Sequence, residues 1–355
     1  MAAKDTPVED HPRLTADLLG HDAAEQRLVK WWQSGHLPHA LLIAGPRGIG
    51  KATLAYRLAR SILAHGGDAQ DSLQVAREHP VFRQVAQRAH PDFMALERTY
   101  DEKAKRLRSE IVVDEVRRLR PFFGATSGGG GWRVALVDAA DEMNVNAANA
   151  LLKQLEEPPR RGLLILVAHA PGRLLPTIRS RCQNLSLRAL PSDALASILA
   201  ARLEDYTDEE RLALAVLGDG SAGQALALAG VGGLDLYREL VSLLAPLPEL
   251  DVAGIQALGD KVARRGQEAV YATLVRLLLD WLTRMVSAGA EGRKPVQILA
   301  DERSVIERLW QAGRPDRWLD AWEHIRDLTE RADALNLDRK QIVINAFTTL
   351  AAAAR

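Results

Sequence analysis

The chain has 355 residues, and 47% of them are hydrophobic, which is enough material for two or three domain cores. Lysine plus arginine and aspartate plus glutamate both number 46, so the charge balance excludes an overall field that would draw the protein to nucleic acid or to an anionic membrane. Because residues 1–14 have no apolar signal core and no apolar stretch approaches the roughly 20 residues of a membrane span, we expect a cytoplasmic protein without membrane contact.

The first half of the chain alternates short apolar runs with polar or helical stretches. The four runs are residues 39–44, 92–96, 133–138 and 163–169. Continuous apolar runs of this length predict strands that are buried on both faces, and their alternation with helices predicts a parallel sheet flanked by helices. We therefore predict an α/β domain over residues 1–190.

A glycine-rich loop joins the first apolar run to a helix that is marked by Leu54, Leu58 and Ile62. The loop fits the pattern G-x-x-x-x-G-K-[ST] up to its last position. In that pattern, glycines let backbone N–H groups converge on phosphate oxygens, and the lysine reaches the terminal phosphates. The candidate phosphate-binding residues are Gly45, Gly48, Gly50 and Lys51.

The hydroxyl that would bind Mg²⁺ after the lysine is missing, because position 52 is Ala52. Thr53 carries a hydroxyl, but one residue along a helix rotates it by about 100° from the required direction. The sequence therefore predicts the shape of a phosphate loop without its magnesium ligand, and nucleotide binding stays open. A tight turn between strand and helix is the structural alternative.

Nucleotide hydrolysis needs a second set of residues outside the loop, which binds the metal and activates water. The run 133–138 ends in Asp138, where hydrolytic P-loop proteins place an acid for the metal. The next residue is Ala139, where a water-activating glutamate is expected. We interpret Asp141 and Glu142 as solvated acids that open the next helix, where the macrodipole favours negative charge, and a catalytic role is the alternative.

Two acids end the helix that the sequence predicts after this strand. Glu156 and Glu157 stand where the helix dipole disfavours negative charge by roughly 0.3–1 kcal/mol. Either the pair is exposed to water, where this cost is small, or the segment faces a neighbouring subunit.

Strand signals stop near residue 190, and the remaining sequence is helical and rich in alanine and leucine. Apolar faces built around Trp281 and Trp322 are typical of helical cores. We predict three domains, which are residues 1–190 (α/β), residues 191–240 (small and helical) and residues 241–355 (larger and helical).

Five further segments carry a family resemblance together with the glycine-rich loop. They are GHLPHALLIAG (35–45), IVVDEVRRLRPFF (111–123), NAANALLKQLEEPP (146–159), LLPTIRSRCQ (174–183) and LNLDRKQIVINAF (335–347). In combination they resemble the delta-prime subunit family of the bacterial DNA polymerase III clamp loader. The resemblance implies an AAA+ fold, with an α/β P-loop module, a small helical lid and a C-terminal helical collar for oligomerisation. It implies gamma/tau and delta subunits as partners in a heteropentameric ring, and contact with the sliding clamp and primer-template DNA through the complex.

The resemblance also implies the role of stator, a subunit that does not hydrolyse ATP itself and completes a neighbour's site. Ala52 and Ala139 agree with this role. Ala168 stands where motor subunits of the family carry a polar sensor residue, and Gln224 stands where they carry a lid arginine. The ATP site is therefore expected to be degenerate.

One arginine is implied to act outside its own subunit. Ser180, Arg181 and Cys182 match the family's S-R-C motif, whose arginine enters the neighbouring nucleotide site as an arginine finger. From the sequence alone, Arg181 would be a surface or salt-bridging residue. Cys182 has no histidine or aspartate pattern around it and is interpreted as a small buried residue at the start of a strand.

The chain departs from the family in one stretch. Many delta-prime subunits carry a four-cysteine zinc module after the phosphate-loop helix, whereas residues 65–91 here contain no cysteine. His65, His79 and His90 lie in this stretch and are interpreted as ordinary surface histidines. We predict no zinc, no other metal site and no required cofactor.

Two other functions compete with the stator. An active AAA+ motor would need residues such as Thr53 and Glu142 to supply the missing magnesium and water-activating groups. A direct DNA-binding module would need a dense basic stripe, but the densest basic segment, residues 102–110, is flanked by acids and is typical of a solvated loop.

Overall fold

The computed structural model describes residues 11–101, 105–125, 131–335 and 337–355. The chain divides into two compact units, Met1–Ile198 with Gly220–Gly223 and Leu199–Asp219 with Gln224–Arg355. Each unit is a separate set of contacts, and the domain boundaries predicted at residues 190 and 240 stay predictions. Residues 102–104 of the basic segment lie outside the described residues.

The first unit is built on a five-stranded parallel sheet. Its strands are β1 (Ala40–Ala44), β2 (Phe93–Leu96), β5 (Arg133–Asp138), β6 (Gly162–Ala168) and β7 (Gln183–Ser186). The spatial order is β2-β5-β6-β1-β7. A short antiparallel pair, β3 (Tyr100–Asp101) with β4 (Arg106–Leu107), stands apart from this sheet. The four apolar runs became β1, β2, β5 and β6, so the predicted α/β P-loop module is confirmed.

Both faces of the sheet are buried, which explains why the strands read as continuous apolar runs. Leu41 and Ile43 of β1 belong to one core cluster, whereas Ala40, Leu42 and Ala44 belong to the other. Successive side chains of a strand point to opposite faces. A strand with helices on both sides must therefore be apolar at every position.

Helices cover the two faces. The Leu41 face packs against α1 (Asp22–Gln33), α2 (Lys51–Ala64) and α3 (Pro80–Ala86). The Leu42 face packs against α4 (Val113–Arg117), α5 (Leu119–Gly124), α6 (Val145–Glu156) and α7 (Pro176–Arg179). A further helix, α8 (Ser192–Arg202), follows the sheet. The loops after β1, β5 and β6 meet at the carboxyl edge of the sheet, which is the usual ligand-binding edge of open α/β proteins.

The second unit is built from helices, of which α10 begins with two residues of the first unit. They are α9 (Asp208–Leu217), α10 (Ala222–Gly230), α11 (Gly233–Leu244), α12 (Val252–Ala263), α13 (Glu268–Ala290), α14 (Glu302–Ala312), α15 (Pro315–Leu335) and α16 (Arg339–Ala353). Trp281 and Trp318 are fully buried and Trp322 is half-buried, as the predicted apolar faces require. The fully buried Glu302 carboxylate accepts a hydrogen bond of 3.1 Å from Arg284 and another from Tyr237. This unit confirms the predicted helical C-terminal region.

In the described part of the chain, none of the helices alone has the length and hydropathy needed to cross a bilayer. Helices α9 and α10 have that length and hydropathy only when the two are taken together, and they are bent by 115° relative to each other.

Candidate functional site

The glycine-rich loop runs from the carboxyl end of β1 to the amino end of α2. Gly45, Gly48 and Gly50 all have positive φ, at 150°, 77° and 105°. A Cβ at Gly45 would lie 2.3 Å from the Leu187 carbonyl oxygen, so no larger residue fits there. The Gly45 amide donates to the Ala168 carbonyl at 3.2 Å, which fastens the start of the loop to the end of β6.

Every carbonyl of residues 45–49 accepts a hydrogen bond from the same unit. Lys51 Nζ donates to Gly45 O at 2.7 Å and to Pro46 O at 2.5 Å. Ser221 Oγ donates to Arg47 O at 2.7 Å, and the Gly223 amide donates to Gly48 O at 2.9 Å. His21 Nε2 lies 2.6 Å from Ile49 O. A carbonyl can only accept, so His21 carries its proton on Nε2. The loop conformation is therefore fixed by the chain itself.

The amide N–H groups of the loop differ from its carbonyl groups in their hydrogen bonding. The N–H groups of Gly48, Ile49 and Gly50 donate to no other group among the described residues. Gly50 is the N-cap of α2, whose dipole presents partial positive charge at this point. The loop thus combines N–H groups that have no partner among the described residues with a helix N-terminus, which is the combination that a phosphate site requires.

Lys51 and Asp138 are coupled through their charges at this edge. Lys51 is 3% exposed, and burial lowers the pKa of its ammonium to about 8, although Asp138 and Asp141 oppose this shift. Burial raises the pKa of Asp138 to about 7, with Glu97 adding to the effect and Lys51 opposing it. A carboxyl group that resists ionisation is a weak cation ligand until a cation supplies the compensating charge.

Three positions around the loop carry only methyl groups. Ala52 is half-buried on α2, and Ala139 and Ala168 are buried at the ends of β5 and β6. A methyl group neither ligates a metal nor polarises water. Thr53 is half-buried one position further along α2.

Asp141 is a structural acceptor. Its carboxylate accepts hydrogen bonds from the amides of His169 at 3.0 Å and Ala170 at 2.7 Å, just after β6. The interpretation of Asp141 as a solvated acid is wrong, because the side chain is half-buried and committed to these amides. Asp141 does lie in the first turn of a helix, but this is a short 3-10 helix (Ala140–Glu142) that precedes the next α-helix. The next helix, α6, is capped by Asn144, which accepts from the Ala147 amide at 2.9 Å.

Glu142 is also fixed by partners. It lies 2.8 Å from Arg98 Nε and 3.3 Å from Arg47 Nη2, and its side chain is 20% exposed. The interpretation as a solvated acid is therefore wrong here too. A carboxylate shared by two guanidinium groups is held away from the role of general base.

His169 is a site residue that the sequence did not reveal. Its Nδ1 is buried and has no hydrogen-bond partner among the described residues. Burial, together with the charges of Lys51 and Arg47, lowers the pKa of His169 to about 4. The imidazole is consequently neutral at pH 7.

The segment after residue 219 contacts the loop through a residue that the sequence did not single out. Gly223 lies so close to the loop that an added Cβ would be 2.8 Å from Gly48 Cα. Gln224, the predicted position of the lost lid arginine, belongs to the second unit and accepts a hydrogen bond from Arg276 there. The glycine-rich break at residues 218–223 was the available signal, but its partner in the loop could not be read from the sequence.

Arg181 lies at a different place in the sheet. It precedes β7, and β7 is parallel to β1 with Gln183 opposite Leu41, so Arg181 lies at the amino edge and the phosphate loop at the carboxyl edge. Arg181 Nη2 lies 3.1 Å from Glu156 Oε1, and Nη1 donates to Thr177 O at 3.1 Å. Among the predicted site residues, the structure brings Gly45, Gly48, Gly50, Lys51 and Asp138 together and leaves Arg181 apart.

The remaining candidates have local roles. His79 caps α3 by accepting from the Val81 amide at 3.2 Å, His90 accepts from the Asp92 amide at 3.2 Å, and His65 Nδ1 lies 2.9 Å from Ser61 O. Burial raises the pKa of the Cys182 thiol to about 11, so it is not a thiolate nucleophile at pH 7. No group of three or more potential ligand side chains within the described ranges is arranged to hold a metal ion.

The chain is similar in sequence to subunits of bacterial DNA polymerase III. A family model described as "DNA polymerase III, delta subunit" matches residues 20–191. DNA polymerase III subunit delta' of Pseudomonas aeruginosa is 34% identical over 271 residues, which is 76% of this chain and 78% of that protein. The delta' subunit of Escherichia coli is 35% identical over 203 residues, covering 57% and 58% of the two chains. The solved structure of the RuvB Holliday junction branch migration motor of Thermotoga maritima covers 85% of this chain and 92% of its own, with a TM-score of 0.41 and 15% identity.

Proposed function

The chain belongs to the DNA polymerase III delta-prime subunit family, and from this premise we propose that it is the stator of a clamp loader. Its partners are gamma/tau and delta subunits in a heteropentameric ring, and through them the sliding clamp and primer-template DNA. It hydrolyses no ATP itself. Its contribution to hydrolysis is Arg181, offered to the nucleotide site of a neighbouring subunit.

The position of Arg181 carries this proposal. The guanidinium contacts Glu156, at the end of α6, and Thr177, on α7. Both contacts lie toward the amino edge of the sheet, whereas the phosphate loop leaves the carboxyl end of β1. The four residues of β7 alone span about 13 Å. Arg181 is therefore badly placed to serve its own loop and well placed at an exposed rim to serve another subunit.

The composition of the chain's own site supports the second half of the proposal. Ala52 and Ala139 supply neither a magnesium ligand nor a water-activating group. Glu142, the nearest acid that could replace the latter, is held by Arg47 and Arg98. Phosphate binding by the open amides of the loop is compatible with this role, since binding alone produces no turnover. Neither zinc nor another cofactor is required.

The decisive experiment uses rings reconstituted with gamma/tau, delta and variants of this chain. Arg181→Ala is expected to lower DNA- and clamp-stimulated ATP hydrolysis by at least about 10-fold, because arginine fingers supplied in trans contribute about 10³–10⁵ in other phosphoryl-transfer systems. Arg179→Ala, which removes a neighbouring exposed arginine, is the matched control and should have little effect. Arg181→Lys should rescue poorly, since a point charge does not reproduce the planar fork. Wild-type rates with Arg181→Ala would contradict the trans-acting role.

An active motor is the competing function, and it is tested on the isolated chain. We expect ATP turnover at background, and titration with labelled ATP, with and without Mg²⁺, measures any residual binding. Mg²⁺-dependent turnover that Lys51→Ala abolishes would establish the motor instead.

A further inference from the structure

We propose that Glu156 is a positioning residue for Arg181, which it holds at the rim while part of the guanidinium stays available to a phosphate of the neighbouring subunit. This inference rests on the proposed function of Arg181. It assigns a role to the acid at the end of α6, which stands where the helix dipole disfavours negative charge.

The contacts of Arg181 define its orientation. Nη2 is bound to Glu156 Oε1 and Nη1 donates to Thr177 O, both at 3.1 Å. A guanidinium has five N–H donors in a fixed plane, so two contacts fix its orientation and leave about three donors for another acceptor. The side chain therefore does not need to leave Glu156 in order to bind a phosphate oxygen.

The two groups that hold Arg181 are presented by well-anchored elements. Helix α6 begins at the Asn144 cap and buries Leu151 and Leu155 in the sheet core. Helix α7 carries Thr177 and buries Ile178 in the same core. Side chains on packed helices are held more narrowly than side chains on loops. The guanidinium is thus confined between two fixed points.

Because the Arg181–Glu156 pair is exposed, its effect on hydrolysis can be distinguished from an effect on the stability of the fold. The Arg181 and Glu156 side chains are 38% and 51% exposed. Ion pairs in water contribute little to folding, because screening and side-chain entropy offset the attraction. Their effect on a partner is different, since a long side chain that is already ordered loses less freedom when it binds. Loss of the Glu156 charge should therefore impair hydrolysis in the ring without unfolding the chain.

The chain supplies a matched control one residue away. Glu157 is exposed, carries the same charge and has no side-chain partner among the described residues. Glu156→Gln and Glu157→Gln remove the same charge from the same segment. Only the first neutralises the ion-pair partner of Arg181.

The experiment has one readout on the isolated chain and one on the ring. In the isolated chain, Arg181 modification by phenylglyoxal, followed by peptide mass spectrometry, should be faster in Glu156→Gln and unchanged in Glu157→Gln. In reconstituted rings, Glu156→Gln should lower kcat for ATP by about 3–10-fold with KM changed by less than about 2-fold, because the contact acts on the transition state. Glu157→Gln should behave as wild type, and Glu156→Gln should add nothing in an Arg181→Ala background.

The outcomes separate this inference from the function on which it depends. If Arg181→Ala slows the ring but Glu156→Gln leaves kcat and Arg181 reactivity at wild-type values, the positioning role alone is overturned. A faster ring with Glu156→Gln also overturns it, because the carboxylate would then compete with the phosphate. If Arg181→Ala has no effect on the ring, both the proposed function and the positioning role fail.

Discussion

The phosphate loop and the Arg181 rim lie at opposite edges of one sheet, and they are held in different ways. Five consecutive carbonyls of the loop, residues 45–49, are bonded to groups of the same unit. Three of the donor residues, Lys51, Ser221 and His21, are buried. Arg181 has one exposed carboxylate and one carbonyl as its partners.

The difference follows from burial. A hydrogen bond between buried groups is costly to break, because the separated groups find no water to replace their partners. An exposed ion pair contributes little to the stability of the fold, because water and salt screen the attraction. The geometry of the loop is therefore fixed by its own chain, whereas the contacts of Arg181 are exposed. This difference is what the proposed trans-acting role of Arg181 requires, because an exposed guanidinium can donate to a further acceptor on another subunit.

The largest effect is expected from a change inside the loop. Gly45→Ala places a Cβ against the Leu187 carbonyl at a φ of 150° and should lower the free energy of unfolding of the first unit by about 3 kcal/mol or more. Gly35→Ala is the control, because Gly35 also has positive φ, at 71°, but has nothing within 4 Å of the added Cβ. It should cost about 1 kcal/mol.

The free energy of unfolding of both variants is measured by hydrogen exchange of the β1 amides in increasing urea. Strand β1 is suitable because it leads into the loop. Equal losses for Gly45→Ala and Gly35→Ala would show that the loop is not tightly packed, and the contrast between loop and rim would fail.

The sequence was sufficient for the elements that are determined locally. Strands buried on both faces must be apolar throughout, so β1, β2, β5 and β6 were visible as runs. The glycines of the loop were visible because positive φ requires them. The β3–β4 pair has only two residues in each strand, which is too short for a periodic pattern.

The site was harder to predict because its hydrogen bonds join distant segments. Ser221 binds the Arg47 carbonyl across 174 positions of sequence, and Asp141 binds the His169 amide across 28. The sequence gives the residue type at each end but not the pairing. For this reason Asp141 and Glu142 were interpreted as solvated, and His21, His169 and Gly223 were not recognised as neighbours of the loop.

Buried ionisable groups near the loop should make stability depend on pH in two opposite directions. The folded pKa of His169 is about 4, below the unfolded value near 6.5, so His169 contributes a loss of stability as pH falls through this range. The folded pKa of Asp138 is about 7, above the unfolded value near 3.9, so Asp138 contributes a loss as pH rises through that range.

Each substitution should remove one of these contributions. Relative to wild type, the His169→Asn variant should gain stability as pH falls from about 6.5 to 4. The Asp138→Asn variant should gain stability relative to wild type as pH rises from about 4 to 7. One proton limits each slope to about 1.4 kcal/mol per pH unit. Urea denaturation at several pH values measures the slopes. Parallel profiles for the two variants and wild type would show that these groups are as well solvated as the rim.

A smaller effect on stability is expected from the loss of one hydrogen bond to the loop. Ser221→Ala removes the donor to the Arg47 carbonyl at a fully buried position and should cost about 1 kcal/mol. Ser197→Ala is the matched control, since its hydroxyl also donates to a backbone carbonyl, that of Asp193 at 2.9 Å, but is exposed. The control should change stability by less than about 0.5 kcal/mol. If the two variants lose the same amount, burial is not what distinguishes the loop.

The smallest effect on stability is expected at the rim, where the largest effect on a partner is proposed. Glu156→Gln, Arg181→Ala and the double variant should each unfold within about 0.5 kcal/mol of wild type, and the coupling energy between the two positions should be about 0.5 kcal/mol or less, because both side chains are exposed. The coupling should also decrease when NaCl is raised from about 0.05 to 1 M, since the Debye length falls to roughly 3 Å. Urea denaturation at the two salt concentrations measures both quantities. A salt-independent coupling of about 2 kcal/mol or more would mean that the pair is a buried structural contact, and Arg181 would then be as firmly committed to its own chain as the phosphate loop is.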